Sequence, residues 1–283
     1  MRWKTGRRSD NVEDRRGMRI SRGMAGGGIG TIVLVLAALY FGIDPSVFLT
    51  RDTTMVSVPR SRPEEMSAEE IEMGDFVSVV LGDTEDTWHE IFRRGGQEYR
   101  EARLVLFTGA VESACGFAEA AVGPFYCPAD QKVYIDLQFY RDLKHRFQAP
   151  GDFAQAYVIA HEIGHHVQNL LGISDQVRSM QRRVSQAEAN DLSVRLELQA
   201  DCFSGIWAYH ADRAREILEE GDVEEALRAA SSIGDDRIQR QSQGYVVPES
   251  FTHGSSEQRA RWFRSGIQSG DLAQCNTFDA ASL

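Results

Sequence analysis

His161, Glu162 and His165 stand in the run HEIGHH, inside AQAYVIAHEIGHHVQNLLG at residues 154–172. On an α-helix, residues four apart share a face, so His161 and His165 can aim two imidazoles at one point. Zinc accepts such nitrogens in a tetrahedral site and keeps one position for water when the protein supplies three ligands. Glu162 sits about 100° round the helix from His161. That keeps it out of the ligand set but close enough to take a proton from attacking water. His166 lies about 140° from His161 and reads as a packing or supporting residue.

Such a site needs a third protein ligand. The candidates are His210, His253, Asp201 and Glu197, with Asp191 and Glu188 behind them. The segment VRLELQADCFSGIWAYHAD reads as a helix with Leu196, Ala200, Phe203, Ile206 and Trp207 apolar. Glu197 and Asp201 are four apart on it, hence on one face. Two carboxylates among apolar residues are costly unless something positive sits between them. The simplest assignment gives Glu197 to the zinc and lets Asp201 accept the free ring N–H of a zinc-bound histidine. The reverse, with Asp201 as ligand, stays open.

The elements that must hold these residues follow from pattern. The apolar run around HEIGHH predicts a buried helix, with Asp152 as its cap and Gly172 just past its end. Ser67 with Glu69 and Glu70 marks a helix start. Residues 76–92 predict two helices broken near Gly82-Asp83. Residues 102–108 and Lys132 to Asp136 predict strands, with a loop over 109–127 between them. Helices are expected at 137–147, 174–187, 190–211, 224–241 and 256–269. The fold class is α+β with helices dominant. The strand Lys132 to Asp136, just upstream of the motif helix, is a candidate edge for holding an extended peptide.

Composition narrows the setting. At 283 residues, 42% hydrophobic and 26% charged, the chain is ordinary globular material. The net charge of −11 argues against nucleic-acid binding, which requires a basic face. Residues 1–23 are the exception, with eight basic side chains against three acidic ones. Residues 24–43 carry no charge and are 20 long, enough for one transmembrane helix. The basic side precedes it, so residues 1–23 are expected in the cytoplasm and the body outside the cytoplasmic membrane. Residues 44–72 read as a linker with Pro45, Pro59 and Pro63, and residues 73–283 as the catalytic domain. Cys115, Cys127, Cys202 and Cys275 all follow the span, and an even number in an exported domain predicts two disulfides. Four cysteines allow three pairings; local proximity favours Cys115–Cys127, leaving Cys202–Cys275.

His161-Glu162-x-x-His165 followed by Glu197-x-x-Ala200-Asp201 resembles the gluzincin arrangement of zinc peptidases. The chain is more closely similar to the bacterial neutral zinc metallopeptidase family. The matching stretches are Met1-Arg2-Trp3, residues 9–17, Cys115-Gly116, Cys127-Pro128, Val133-Tyr134-Ile135-Asp136, HEIGHHVQ, ELQADC and FTHGSSEQR, nearly the full length. The resemblance implies a zincin-like domain, one Zn²⁺ on His161, His165 and Glu197, and hydrolysis of peptide or protein substrates in the cell envelope. A narrower similarity to membrane-associated zinc peptidases implies that His253 donates a hydrogen bond to the oxyanion. Arg259 then orients His253 or pairs with Asp201. Tyr209 and Tyr245 are alternative donors. Two other readings stand beside this one. One is a zinc-stabilised envelope binding or assembly module with weak or no peptidase activity. The other is hydrolysis of a non-peptide amide in the cell wall.

Overall fold

The computed structural model describes residues 1–17, 66–119 and 123–283. Among them lie six strands and eight α-helices, the helix-dominated α+β architecture that the sequence predicts. β1 (Val12–Asp14), β2 (Arg103–Phe107), β6 (Lys132–Asp136) and β5 (Phe125–Cys127) form one sheet in that order. The first three run parallel, and β5 is antiparallel to β6. Leu104 to Phe107 and Val133 to Asp136 are buried, as strands covered on both faces are. β6 therefore has both its edges paired and offers none to a peptide. The edge expected there belongs to β5. β3 (Ala110–Ser113) and β4 (Gly116–Glu119) form a hairpin within the stretch that reads as a loop. Its short strands lack the alternating, β-branched pattern that marks a strand.

The helices are α1 (Ala68–Arg94), α2 (Leu137–His145), α3 (Asp152–Leu170), α4 (Ile173–Gln181), α5 (Gln186–Arg215), α6 (Asp222–Ser232), α7 (Asp235–Gln243) and α8 (Ser256–Ser269). Ser67 and Glu70 close a capping box on α1. α3 begins at Asp152, which is its first residue and not its cap. Gly172 follows α3 in the left-handed region, as expected. The polar stretch 224–241 is two helices, with Gly234 at the break.

α1 is one helix and not two, and the reason is its contact with the N-terminal arm. A Cβ on Gly82 would lie 2.7 Å from the carbonyl oxygen of Arg7. Glycine is there to let the arm's backbone approach, at a cost of about 1 kcal/mol of helix propensity. The buried Glu85 carboxylate, one turn on, accepts hydrogen bonds from Arg7, Ser9 and Asn11. Trp3 packs edge-on to Phe76, and β1 completes the sheet. Residues 1–17 thus belong to the same body as residues 66–283. The expected division into a separate segment at 1–23 and a domain starting at 73 is corrected accordingly. The expected transmembrane run at 24–43 and most of the expected linker at 44–72 lie outside the described residues. Among the described residues, no helix is long and apolar enough to cross a membrane.

Both disulfides are formed. Cys115–Cys127 ties the β3–β4 turn to β5 across 12 residues, and Cys202–Cys275 ties α5 to the C-terminal segment across 73. Loop-closure entropy assigns the longer link about 4 kcal/mol and the shorter about 3. In urea titrations, Cys202→Ala/Cys275→Ala should lose more stability than Cys115→Ala/Cys127→Ala.

Candidate metal centre

α3 and α5 cross closely enough for their polar faces to meet. A Cβ on Gly164 would fall 3.0 Å from the Ala200 carbonyl oxygen and 3.1 Å from its Cα. The small residues inside HEIGHH and ELQAD are therefore what bring His161, His165 and Glu197 together. One ligand atom from each lies within 4.8 Å of the others. His161 Nε2 is 3.2 Å from Glu197 Oε2, and His165 Nε2 is 3.3 Å from Glu197 Oε1.

The rest of each ring is already engaged. His161 Nδ1 lies 2.8 Å from Asp201 Oδ1 and donates to it. His165 Nδ1 lies 2.9 Å from Gln168 Oε1. Gln168 Nε2 donates to the Leu196 carbonyl at 2.7 Å, so the oxygen end must face His165, and the histidine is the donor. With both Nδ1 atoms acting as donors, the two Nε2 atoms are left to converge on one point with a carboxylate. That donor set fits a tetrahedral zinc ion, which satisfies all three at once. Burial works to lower the pKa of His161, yet Asp201 and Glu197 outweigh it and hold the ring at about 10. Burial would raise Glu197, but His165 and His161 hold it well below the carboxylate range. The pocket thus attracts positive charge strongly.

Asp201 is fully buried and sits behind this set. Arg259 grips it with two bonds, Nε to Oδ2 at 2.9 Å and Nη2 to Oδ1 at 3.0 Å, and the Tyr157 hydroxyl also donates to it. Burial opposes its charge, but Arg259 and His161 bring its pKa to about 2. Of the two roles open to Arg259, the contact made is with Asp201.

Glu162 is buried beside the set, with no hydrogen-bond partner among the described residues, and faces a cavity of about 830 Å³. Burial raises its pKa, against the pull of His161 and His165. His253 lines the same cavity with its side chain half exposed. Asp235, at the start of α7, positions it: Oδ2 accepts the backbone N–H groups of Thr252, His253 and Gly254, and Oδ1 lies 3.3 Å from His253 Nδ1. His253 is not the cap of α8, which is Ser255.

Several expected candidates fall elsewhere. Tyr209 and Tyr245 do not line the cavity. His210 Nε2 donates to the Gly270 carbonyl. His166 bonds the Arg100 carbonyl through Nε2 and the Tyr126 hydroxyl through Nδ1, which fastens β5 to α3. Sequence reasoning missed Tyr157, Gln168 and Asp235. Tyr157 and Gln168 carried a usable signal, being four residues before His161 and three after His165. Asp235 carried none, since it meets His253 only through the fold.

In the metal-free protein, the Asp201 charge contributes about 2 kcal/mol of stability. Its folded pKa is depressed, so this contribution is present above pH 4 and lost as pH falls through 2. Asp201→Asn should abolish that segment of the acid-unfolding curve. It should also cost about 3–5 kcal/mol at neutral pH, because Arg259 is left buried and unpaired. Zinc affinity should fall about 10–100-fold, read by competition with a chromogenic chelator.

Residues 1–278 match the family described as Putative neutral zinc metallopeptidase. The chain is 52% identical to Uncharacterized protein YpfJ of Escherichia coli strain K12 over 287 aligned positions, covering 98% of this chain and 99% of that one. It is 45% identical to Uncharacterized protein Rv2575 of Mycobacterium tuberculosis strain H37Rv over 195 positions, 65% of each chain. No solved structure matches it. The family implies zinc, in keeping with the donor set formed by α3 and α5. The chain belongs to this zinc metallopeptidase family.

Proposed function

We propose that the chain is a zinc-dependent peptidase of the cell envelope, with one zinc ion held by His161, His165 and Glu197. The observation that carries this reading is the convergence of two imidazoles and a carboxylate beside a buried Glu162 that has no hydrogen-bond partner among the described residues and faces an open cavity. A purely structural site has no use for that carboxylate. A bound zinc ion supplies a Lewis acid for the substrate carbonyl and acidifies water.

The remaining work falls to the chain's own side chains. Glu162 accepts the proton of the attacking water and delivers it to the leaving amine; its raised pKa suits both halves of that task. Asp201 and Gln168 keep the two histidines in the tautomer that presents Nε2. His253, held by Asp235, donates to the carbonyl oxygen as negative charge develops. β5 takes an extended peptide along its outer edge, since Phe125 and Tyr126 line the cavity and His166 anchors the strand.

The two disulfides support an oxidising compartment outside the cytoplasm. A single crossing by residues 24–43 would put residues 1–17 and 66–283 on opposite sides of a membrane. The pairing of β1 with β2 supports a topology with both on the outer face, whatever attachment residues 24–43 provide.

The test compares the full chain with Glu162→Gln. Both should bind one equivalent of zinc by elemental analysis, and Glu162→Gln should cleave casein or a peptide mixture at least about 100-fold more slowly. Equal cleavage by both would remove Glu162 as the base; zinc loading without cleavage by the unaltered chain would sink the peptidase reading. His253→Gln should lower kcat about 10²–10³-fold with zinc content unchanged.

A further inference from the structure

Three guanidinium groups line the cavity at the candidate metal centre, those of Arg146, Arg178 and Arg259. Two of them are already matched. Arg259 is held by Asp201, and Arg178 Nη2 lies 2.7 Å from Asp175 Oδ1. Arg146, just past the end of α2, makes no ion pair among the described residues. A helical partner is at hand, since Asp142 lies four residues earlier and lines the same cavity. Asp142 Oδ1 instead lies 3.4 Å from the Gln138 amide nitrogen, and the Arg146 guanidinium sits over the Phe147 ring, 5.2 Å from its centroid. We infer that Arg146 is a receptor for a substrate carboxylate, set beside an apolar subsite made by Phe139, Phe147 and Val158. The inference rests on the peptidase reading for what enters the cavity.

The apolar subsite follows from the placement of α2. The rings of Phe139 and Phe147 both line the cavity, with centroids 6.2 Å apart and planes tilted by 44°. A Cβ on Gly123 would lie 3.6 Å from the Phe139 ring, so this aromatic wall meets the chain just before β5, the proposed substrate edge. Val158 lies three residues before His161, on the face of α3 that carries the ligands, and lines the same cavity. α2 also stands near the proposed base. After burial, the charge of Glu162 is what raises the pKa of Tyr140, the residue next to Phe139.

Stacking on Phe147 fixes where the cation sits without using its N–H groups in the guanidinium plane. The planar fork is therefore open to a carboxylate, which it can meet with two parallel bonds. An apolar side chain seated on the aromatic wall would shield that contact from water and strengthen it. Asp142 opposes an anion at the same wall, so direct bonding by the fork, and not a diffuse positive field, must supply the attraction. The carboxylate has two sources in a peptide. One is an Asp or Glu side chain next to a large apolar residue, and the other is the α-carboxylate of a peptide ending in such a residue.

The experiment uses the full chain loaded with zinc and carrying Glu162→Gln, so that peptides stay intact. Binding of fluorescein-labelled peptides is read by anisotropy. One pair is Ala-Ala-Phe-Glu-Ala-amide and its Gln counterpart; the other is Ala-Ala-Phe ending in a free carboxylate or in an amide. The acid form of one pair should bind about five- to tenfold more tightly than its neutral form, and the pair that shows it identifies the source. Arg146→Met should abolish this difference, Arg146→Lys should keep only part of it, and Arg146→Glu should reverse it, all with zinc content unchanged. Replacing Phe by Ala in the preferred peptide should weaken binding, and by less in Phe147→Ala. Equal binding of acid and neutral forms in both pairs, no binding of any of the four peptides, or a difference that survives Arg146→Met would overturn the assignment. Cleavage by the unaltered chain without an acid preference sinks the receptor alone. An acid preference that Arg146→Met erases, with no cleavage by the unaltered chain, sinks the peptidase reading and leaves the receptor standing.

Discussion

The carboxylate of Asp201 is the constraint on which the centre depends. It is fully buried, so its charge must be met on every side. α8 meets it with Arg259, and α3 meets it with the Tyr157 hydroxyl and the His161 ring. Three helices far apart in sequence are thus locked to one pair of oxygen atoms. The same contact decides which nitrogen of His161 is free. A buried pair of this kind adds little net stability over an apolar packing, but breaking one half is expensive. Its consequence is geometric: His161 cannot turn away from Glu197 without breaking its own bond to Asp201.

Backbone proximity does the rest of the positioning. Gly164 and Ala200 carry no chemistry, yet the distance between α3 and α5 is set where they touch. Gln168 bonds both His165 and the Leu196 carbonyl, so the imidazole is referred directly to the backbone beside Glu197. On the other side, His166 and Tyr126 fasten β5 to α3. The cavity wall and the ligand set therefore share one rigid reference, the helix that carries HEIGHH.

The arm changes the reading of the N-terminal charges. Eight basic residues before an apolar run look like a topology signal, because that is how such charge is commonly used. In the fold, Arg7 neutralises the buried Glu85, and Arg8 and Arg16 pair with Asp75 and Asp14. Arg7 and Arg8 thereby hold the arm against α1, and Arg16 also donates to the Glu70 carbonyl of that helix.

The two pairs that make up the candidate ligand set were legible in sequence because helical periodicity is local: His161 and His165, and likewise Glu197 and Asp201, are four apart, and a spacing of four implies one face whatever the tertiary context. Strand β6 and helix α8 were legible for the same reason, each having a clean pattern and clear boundaries. The continuity of α1 was not, because Gly82 signals a break unless the backbone of Arg7 is known to lie against it. Nor was the partner of His253, since Asp235 reaches it only after α7 has packed. The edge available to substrate was likewise decided by strand order, which is non-local: β6 has the stronger strand signal, but β5 lies outside it. Sequence alone determined which groups could bind a metal and move a proton. Only the tertiary structure decided which charges balance them, because a buried charge is matched through space and not along the chain.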